Sequence, residues 1–275
     1  MADTTFIKMN AAGNDFIIFD FRNNNTTSLN TTQIQKISHR NNIGCDQLII
    51  LKDDQETDCF MEIYNPDGSS SSACGNATRC VGSILLEEDS SNDLVKIRTH
   101  SSTLICERQP NSEVSVNMGK PKFESHEIPM SKEISTQGFN LLGYDFYALN
   151  IGNPHIVTFI DKKIYDEVFV NLGPTLEKHE LFPEKTNVEF ANILSDDLIE
   201  ARVYERGAGE TLSCGSGACA IGTLAIKNKF IKSRSTTIRF KGGDIKIELK
   251  KDGSVIMTGG YNKIFSGNID ANFLN

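Results

Sequence analysis

Short segments in which apolar and polar residues alternate, or in which β-branched residues cluster, recur along the whole chain. A period of two places successive side chains on opposite faces of an extended backbone, so such segments predict β-strands. The clearest of them lie at 16–20, 46–51, 94–99, 113–118, 198–203, 236–240, 244–249 and 254–257. Strands therefore make up most of the predicted elements.

Helical periodicity is found in fewer segments. It predicts three helices, at 31–40, 75–88 and 215–228. Thr31 or Thr32 is the expected N-cap of the first helix, and the Asn-rich stretch 23–30 and the serine run 69–72 predict turns or mobile loops. Because strands outnumber helices and do not strictly alternate with them, the pattern favours an α+β fold over a doubly wound parallel sheet.

A second pattern is an internal repeat. The segments that match at an offset of 139 or 140 residues are 13–14 with 152–153, Gln47 with Asn187, 63–65 with 203–205, 74–77 with 214–217 and 81–84 with 221–224. Many of the matched positions are polar side chains or a thiol beside glycine, whereas packing alone would preserve only apolar periodicity. The repeat predicts two similar, pseudo-twofold-related domains that contribute Cys74 and Cys214 to a shared cleft.

Length and charge limit the classes of function. A chain of 275 residues suits two domains. A net charge of −8 without a cluster of Lys and Arg argues against nucleic acid as the main partner. The apolar runs are too short to cross a membrane, and the first residues lack the pattern of a signal peptide. We therefore expect a cytoplasmic protein whose seven cysteines are thiols.

The two repeated cysteines each precede a glycine and a predicted helix. The unpaired N–H groups and the dipole of a helix N-terminus favour negative charge, so we expect lowered thiol pKa values and thiolate near neutral pH. The same N–H groups can bind a carboxylate. One thiolate could then remove the α-proton of an amino acid while the other thiol returns a proton to the opposite face, which inverts the stereocentre.

Other chemistries fit parts of this sequence less well. A zinc site is disfavoured because the chain has no Cys-x-x-Cys pair, and the glycine pattern at 215–220 lacks the βαβ context of a dinucleotide site. A hydrolase that pairs Cys74 or Cys214 with His155 remains a rival, although it gives the second cysteine no role. A non-catalytic amino-acid binder is a further alternative, and it leaves both helix-end thiols unexplained.

The remaining five cysteines have a simpler interpretation as packed core residues. Two lie in predicted helices, two in strand-like segments and one beside a candidate site residue. They are Cys80, Cys219, Cys59, Cys106 and Cys45, respectively.

Seven motifs follow one another along almost the whole chain. They are KMNAAGNDF at 8–16, GCDQL at 44–48, NPDGS at 65–69, ACGNATRC at 73–80, GNPH at 152–155, NVEF at 187–190 and ERGAGETLSCGSGAC at 205–219. In order and spacing, these motifs resemble the diaminopimelate epimerase family, and the last of them is highly specific.

The resemblance implies an enzyme that interconverts LL- and meso-2,6-diaminoheptanedioate in lysine and cell-wall precursor biosynthesis, with no pyridoxal phosphate, metal or other cofactor. It implies Cys74 and Cys214 as the catalytic acid–base pair, tuned by His155 and Glu205. The residues implied to hold the reacting carboxylate are Gly75, Asn76, Gly215 and Ser216. The other implied substrate-binding residues are Asn14, Gln47, Asn65, Asn153, Asn187, Glu205 and Arg206.

The chemistry of the last two residues suits this substrate. Arg206 can bind a distal carboxylate through two parallel hydrogen bonds, and Glu205 can accept hydrogen bonds from an ammonium group. A surface ion pair is the plainer alternative, and such a pair contributes little to stability. The position of Glu205 opposite Asn65 in the repeat favours the site.

The resemblance also implies how the chain is divided. Each domain would wrap a mostly antiparallel sheet or barrel around a central helix, and the C-terminal tail would return to the first domain. The predicted halves are therefore 1–121 with 264–275, and 122–263. The expected partner is a small-molecule amino-acid substrate, with neither nucleic acid nor membrane. A homodimer is compatible with the sequence, which does not give the oligomeric state.

Four departures from the family's usual motifs leave fine substrate preference open, and one of them is a serine-rich loop before Cys74 that carries no acidic residue. The segment before Asn14 is Ala-Ala-Gly rather than Gly-Leu-Gly, Asn10 stands where a His is usual, and 259–261 is Gly-Gly-Tyr rather than Gly-Pro-Ala. Two-thiol relatives that racemise proline or histidine therefore remain alternatives. The paired thiols count against the related phenazine-precursor isomerases, which have no cysteine pair.

Overall fold

The computed structural model describes residues 4–22, 28–71, 73–161 and 166–274. They form two compact units, unit 1 within 1–116 and 259–275 and unit 2 within 117–258. This division and the division expected from the sequence differ only at 117–121 and 259–263. No helix in the described part of the chain is long and apolar enough to span a membrane.

Unit 1 consists of strands around one long helix. Its elements are β1 (Thr4–Ala11), β2 (Asn14–Asp20), α1 (Thr31–Ser38), β3 (Gln47–Lys52), β4 (Cys59–Tyr64), β5 (Ser70–Ser71), α2 (Gly75–Glu88), β6 (Leu94–Arg98), β7 (Thr103–Gln109), β8 (Glu113–Asn117), β18 (Asn262–Ile269) and α5 (Ala271–Leu274). Most pairs are antiparallel, including β1–β18, β1–β2, β3–β4, β4–β5 and β6–β7. Two pairs are parallel, β2–β3 and β4–β6.

Unit 2 repeats this arrangement. Its elements are a 3₁₀ turn (Ser125–Glu127), β9 (Gln137–Leu141), β10 (Tyr144–Asn150), β11 (Pro154–Phe159), α3 (Asp166–Glu177), β12 (Asn187–Ser195), β13 (Leu198–Glu205), β14 (Gly209–Thr211), α4 (Gly215–Lys227), β15 (Ser235–Phe240), β16 (Gly243–Leu249) and β17 (Val255–Gly260). The parallel pairs are β11–β12 and β13–β15, and β10–β11, β12–β13, β13–β14 and β15–β16 are antiparallel. The sequence repeat therefore corresponds to a repeat of strand pairing, and the predicted α+β, sheet-dominated fold is confirmed.

Strand register carries the repeat down to single residues. In unit 1, Phe16 of β2 lies opposite Gln47 of β3 in a parallel pair. In unit 2, His155 of β11 lies opposite Asn187 of β12 in the same kind of pair. The first residues of β3 and β12 are thus equivalent positions, as the offset between Gln47 and Asn187 predicted.

The core of each unit is dominated by aromatic and branched aliphatic side chains. In unit 1, Phe6, Phe19 and Phe21 pack in series, with ring centroids 6.2 and 5.6 Å apart. In unit 2, Phe190 is central, because the rings of Phe146 and Phe169 meet it edge-on at 6.2 and 5.7 Å. The unit 1 rings share a core cluster with Ile34 and Ile37 of α1, and the unit 2 rings share one with Leu176 of α3.

Two of the local predictions need correction. Asn30, not Thr31 or Thr32, caps α1: its side chain accepts from the Gln33 N–H, and the Gln33 side chain accepts from the Asn30 N–H. The serine run contains the short strand β5, which pairs with β4, rather than only a turn. The turn predicted over 23–30 lies outside the described residues at 23–27. The predicted helices at 75–88 and 215–228 correspond to α2 and α4.

Two repeat-equivalent glycines let the long helices approach the sheet. A methyl group added at Gly82 of α2 would lie 3.0 Å from Cys106 Cβ. One added at Gly222 of α4 would lie 2.7 and 2.8 Å from Ile247 Cγ2 and Cβ. The distances at Gly222 are shorter than close packing permits, and the distance at Gly82 is tighter than most packed contacts, so both positions favour glycine.

We predict that Gly222→Ala lowers the free energy of unfolding of unit 2. Overpacking against Ile247 outweighs the gain in helix propensity, and we expect a net loss of about 1–2 kcal/mol, measured as a lower urea midpoint. Gly260→Ala, at the end of β17 where the chain re-enters unit 1, is the control, because a methyl group there meets nothing within 4 Å. Equal midpoints for the two variants would contradict the packing argument.

Candidate active site

The two repeated cysteines have the same local geometry. Cys74 is the N-cap of α2, with φ −152° and ψ 106°, and the Ala77 N–H donates to its Sγ at 3.5 Å. Cys214 is the N-cap of α4, with φ −136° and ψ 120°, and the Gly217 N–H donates to its Sγ at 3.4 Å. Each sulfur therefore takes the position of the side-chain oxygen that usually caps a helix.

The backbone of each first turn completes this arrangement. Gly75 and Asn76 are the first residues of α2, and Gly215 and Ser216 are the first residues of α4. The N–H groups at the start of a helix have no acceptor within the helix and point away from its end. They lie beside the thiol in each unit and are suited to binding an anion.

Asn14 faces the thiol of unit 1. The Cys74 thiol donates to Asn14 Oδ1 across 3.8 Å, and Asn14 Nδ2 donates to Asp46 Oδ2 at 2.9 Å. Asp46 also accepts from the backbone N–H of Asp15 at 3.0 Å. The NH₂ group of Asn14 is thus held by Asp46, and its carbonyl oxygen faces the Cys74 sulfur.

A cluster of charged side chains surrounds Asp15, the residue that follows Asn14. Arg40 donates two hydrogen bonds to Asp15 at 2.7 and 2.8 Å, and Lys8 is paired with the same carboxylate at 2.5 Å. Burial raises the pKa of Asp15, but the hydrogen bonds from Arg40 and Lys8 outweigh it and hold that pKa well below its ordinary value. Asp15 is therefore a fixed anion that anchors the turn leading to Asn14.

Gln47 and Asn65 lie next to each other in unit 1. Gln47 Nε2 donates to Asn65 Oδ1 at 3.3 Å, and Asn65 Nδ2 donates to Ser69 Oγ at 3.1 Å. Gln47 Oε1 is buried and has no hydrogen-bond partner within the described residues. A buried acceptor without a donor is costly, so this oxygen is a candidate contact for an incoming ammonium or N–H group.

Cys214 is enclosed more tightly in unit 2. Only 5% of its surface is exposed, its Sγ lies 3.4 Å from Ser216 Oγ, and its thiol donates to Glu205. Glu205 Oε1 also accepts from the Thr211 hydroxyl at 2.5 Å. The pKa of Glu205 is raised by burial, which outweighs these two hydrogen bonds. Glu205 therefore lies beside the thiol of its own unit.

The expected lowering of the thiol pKa is wrong for Cys214. Burial raises its pKa well above the ordinary value near 9, and the negative charges of Glu205 and Glu189 raise it further. The hydrogen bonds from Ser216 and from the Gly217 N–H act in the opposite direction but are weaker. Desolvation in a closed site therefore overcomes the helix N-terminus, and Cys214 is a thiol at neutral pH.

Asn187 fixes the backbone of unit 2. Its Oδ1 accepts from the Arg206 N–H at 3.0 Å, and its Nδ2 donates to the Pro154 carbonyl at 2.8 Å. The Arg206 side chain is exposed, and its Nη1 donates to the Glu184 carbonyl at 3.4 Å. Asn187 thereby holds the turn that presents Arg206.

His155 contacts Glu189 and Asn153 rather than a thiol of its own unit. Its Nδ1 lies 2.6 Å from Glu189 Oε1, and its Nε2 lies 2.9 Å from Asn153 Oδ1. Because both ring nitrogens are engaged, His155 is not poised as a base for Cys214, which weighs against a Cys–His hydrolase built from these two residues. Glu189 was missed from the sequence, although it lies in the NVEF motif two residues after Asn187.

The other five cysteines are core residues, as predicted. Cys45, Cys59, Cys80, Cys106 and Cys219 are all buried, and none of the seven cysteines, each in the described part of the chain, forms a disulfide. Burial raises the pKa of both Cys59 and Cys80 to about 12. The described residues bring together no group of three or more His, Cys, Asp or Glu side chains with metal-binding geometry.

Comparison with known proteins gives a consistent match over most of the chain. The diaminopimelate epimerase family profile matches residues 6–124 and 147–264. A diaminopimelate epimerase from Pelagibacter ubique is 39% identical over 97% of this chain and 99% of its own length. One from Acidiphilium cryptum is 38% identical over 98% of this chain and 97% of its own.

Solved structures with low sequence identity have the same fold. A predicted epimerase from Pseudomonas aeruginosa superposes with a TM-score of 0.69 at 14% identity, over 97% of this chain and 99% of its own. A hydroxyproline epimerase from Agrobacterium vitis gives 0.68 at 14% identity, over 98% and 91%. At this identity, the likeness concerns the fold alone.

The carboxylates around Cys214 lead to a prediction about its reactivity. We expect its alkylation by iodoacetamide, followed by peptide mass spectrometry, to rise only above pH 9, because the thiol pKa is raised. Glu205→Gln should move this rise to lower pH, since it removes a negative charge beside the sulfur. Glu210→Gln, an acid of the adjacent strand paired with Arg202, should leave it in place. A wild-type rise below pH 8 would contradict this account.

Proposed function

Because the chain belongs to the diaminopimelate epimerase family, we propose that Cys74 and Cys214 together invert one α-carbon of 2,6-diaminoheptanedioate and so interconvert its LL and meso forms. The chain is an amino-acid epimerase. The observation that carries the mechanism is the pair of N-cap thiols at equivalent positions of the repeat, each beside the first turn of its helix.

The reaction needs two proton-transfer groups of the same kind. One sulfur, as thiolate, removes the α-proton, and the other, as thiol, gives a proton to the opposite face of the carbanion. The roles exchange in the reverse direction, so a pair of like groups suits a reversible reaction. The proposal requires both thiols to reach one α-carbon.

The state of Cys214 supports its role as the acid in the first half of this cycle. Its pKa is raised by burial and by two nearby carboxylates, so it carries a proton before the reaction. An ammonium group bound to Glu205 would neutralise one of these charges and lower the thiol pKa. Substrate binding would thereby bring the thiol closer to the acidity needed for proton transfer.

We assign to the helix N-termini the stabilisation of the negative charge that develops on the substrate. Removal of the α-proton moves negative charge onto the substrate carboxylate, and we propose that the N–H groups of Gly75, Asn76, Gly215 and Ser216 stabilise it. This assignment gives the protein its own means of stabilising a carbanion, so we propose a reaction without pyridoxal phosphate or metal. Seven thiols suit a reducing compartment, and we place the enzyme in the cytoplasm.

The distal end of the substrate is assigned to Arg206 and to the amides of the two units. Arg206 has an exposed guanidinium at the end of a turn fixed by Asn187, which suits capture of a carboxylate from solvent. Asn14, Gln47, Asn65 and Asn153 offer further polar contacts. A substrate with one carboxylate, such as proline, would leave Arg206 unused, so we favour the dicarboxylate.

The direct test is solvent-isotope exchange. Wild-type protein incubated with LL-2,6-diaminoheptanedioate in deuterated water should incorporate deuterium at the α-carbon, detected by NMR. Cys74→Ser and Cys214→Ser should each lower epimerisation by about 100-fold or more, because each removes one proton-transfer group.

Cys59→Ala is the matched control, since this buried cysteine lies in β4 and is assigned only to packing. It should retain wild-type exchange. The proposal fails if wild-type protein incorporates no deuterium, or if both serine variants exchange at the wild-type rate.

A second prediction concerns the distal carboxylate. Arg206→Lys keeps the charge but loses the planar fork, and we expect KM for LL-2,6-diaminoheptanedioate to rise about tenfold while kcat changes less. Arg239→Lys, an exposed arginine paired with Asp244, should leave KM unchanged. Equal KM values for the two variants would remove Arg206 from the substrate site.

A further inference from the structure

A buried polar pair lies behind the thiol of unit 2. His155 and Glu189 have no exposed surface, and Nδ1 of the first lies 2.6 Å from Oε1 of the second. Glu189 Oε2 is buried and has no hydrogen-bond partner within the described residues. A methyl group added at Gly217 would lie 2.9 Å from Glu189 Oε1, so the carboxyl packs under the first turn of α4.

The repeat shows that this pair is peculiar to unit 2. The register position of His155, opposite Asn187, is occupied in unit 1 by Phe16, opposite Gln47. Glu189 lies two residues after Asn187, and the equivalent residue two after Gln47 is Ile49. Both Phe16 and Ile49 are fully buried. Apolar residues are therefore sufficient for packing at this place in the fold. In unit 2, the burial of polar groups there lowers the free energy of unfolding instead.

The equivalent asparagines of the two units are consequently held in opposite ways. Asn14 is held through its NH₂ group, which donates to Asp46, so its oxygen faces Cys74. Asn153 is held through its oxygen, which lies 2.9 Å from His155 Nε2. Its NH₂ group is therefore turned away from His155.

The contact between His155 and Asn153 determines the position of one proton on the imidazole ring. Asn153 Oδ1 can only accept, so the contact requires a proton on His155 Nε2. The other contact, between Nδ1 and Glu189 Oε1, requires a second proton, which either atom can hold. With a plain acceptor on both sides, a neutral imidazole with one proton would leave one of the two contacts repulsive.

We propose that Glu189 is a positioning residue: through His155 it locks the Asn153 amide so that its NH₂ group is presented to a carboxylate oxygen of the substrate. The inference rests on the proposed function and adds to it a difference between the half-sites. Unit 1 presents an amide acceptor and unit 2 an amide donor. Glu205 and Cys214 are the other titratable groups whose charges act on this cluster.

The test compares two substitutions of similar length. Glu189→Gln can still engage Nδ1 by donating its amide N–H, whereas Glu189→Met cannot. We expect Glu189→Gln to keep KM for LL-2,6-diaminoheptanedioate within about threefold of wild type. Glu189→Met should raise KM about tenfold with a smaller change in kcat, the size expected for one substrate hydrogen bond. Glu62→Gln, a partly buried acid paired with Lys52 in unit 1, is the control and should leave KM unchanged.

A double-mutant cycle shows whether the effect passes through Asn153. In an Asn153→Ala background, the Gln and Met variants at 189 should have equal KM values. Equal KM values for the two variants in the wild-type background would overturn the inference. So would a difference between them that persists in full without the Asn153 amide.

A spectroscopic readout is independent of turnover. In protein labelled with ¹⁵N-histidine, the signal of His155 is identified among five histidines by its loss in His155→Gln. We expect its Nε2 to be protonated at pH 7.5 in the wild type and in Glu189→Gln, and only partly protonated in Glu189→Met. An unprotonated Nε2 in the wild type would overturn the inference. Absence of deuterium exchange with a protonated Nε2 would instead overturn the proposed function alone.

Discussion

Each half of the chain is organised around one unusual contact, a cysteine sulfur that accepts the backbone N–H of the third residue of a long, buried helix. At 3.5 Å for Cys74 and 3.4 Å for Cys214, these contacts hold the sulfur at the helix end, beside the backbone of the first turn. The position of the sulfur at the helix end constrains the surrounding structure. The helix must be central, its glycines must permit close approach to the sheet, and the neighbouring strands must end where their polar side chains face the sulfur.

The same scaffold supports two different electrostatic environments. In unit 1, the polar groups around Asn14 are tied to a network of paired charges in which Arg40 and Lys8 neutralise Asp15. In unit 2, the carboxyls of Glu189 and Glu205 surround Cys214, and burial raises the pKa of both. The duplication therefore conserves geometry while allowing charge to diverge, which suits the proposed reaction, in which one thiol gives a proton and the other takes one.

The sequence predicted the parts of this arrangement that depend on local pattern. The starts of α2 and α4, the equivalence of Gln47 with Asn187, and the packing of the five remaining cysteines all follow from periodicity and the repeat. Helix α3 could not be predicted in this way, because Gly173 and Pro174 lie inside it and such residues usually interrupt a helix. Glycine is needed at 173 because the ring of Tyr204 occupies the space that a side chain there would need.

The chemistry of Cys214 was beyond the sequence for a different reason. A helix N-terminus is a local feature and predicts a lowered pKa, whereas burial and the approach of Glu189 and Glu205 arise from strands distant in sequence. Burial and these two carboxyls have a larger effect than the helix N-terminus, so the pKa of Cys214 is raised rather than lowered. A sequence motif can thus identify a reactive residue without indicating whether that residue is protonated in the folded protein.

The pKa shifts of these carboxyls also change the free energy of unfolding with pH, in opposite directions in the two units. Because the pKa of Asp15 is lowered by folding, its contribution stabilises the protein above its unfolded pKa and is lost only as the pH falls through the folded value. The pKa values of Glu189 and Glu205 are raised by folding, so their contribution is fully present at low pH and is lost as the pH rises through the folded values. At neutral pH, unit 2 therefore holds carboxyls that oppose folding, where unit 1 has the apolar Ile49 in place of Glu189. A fold that tolerates apolar residues there keeps such groups only if the site gains from them, which places the chemical difference between the half-sites in unit 2.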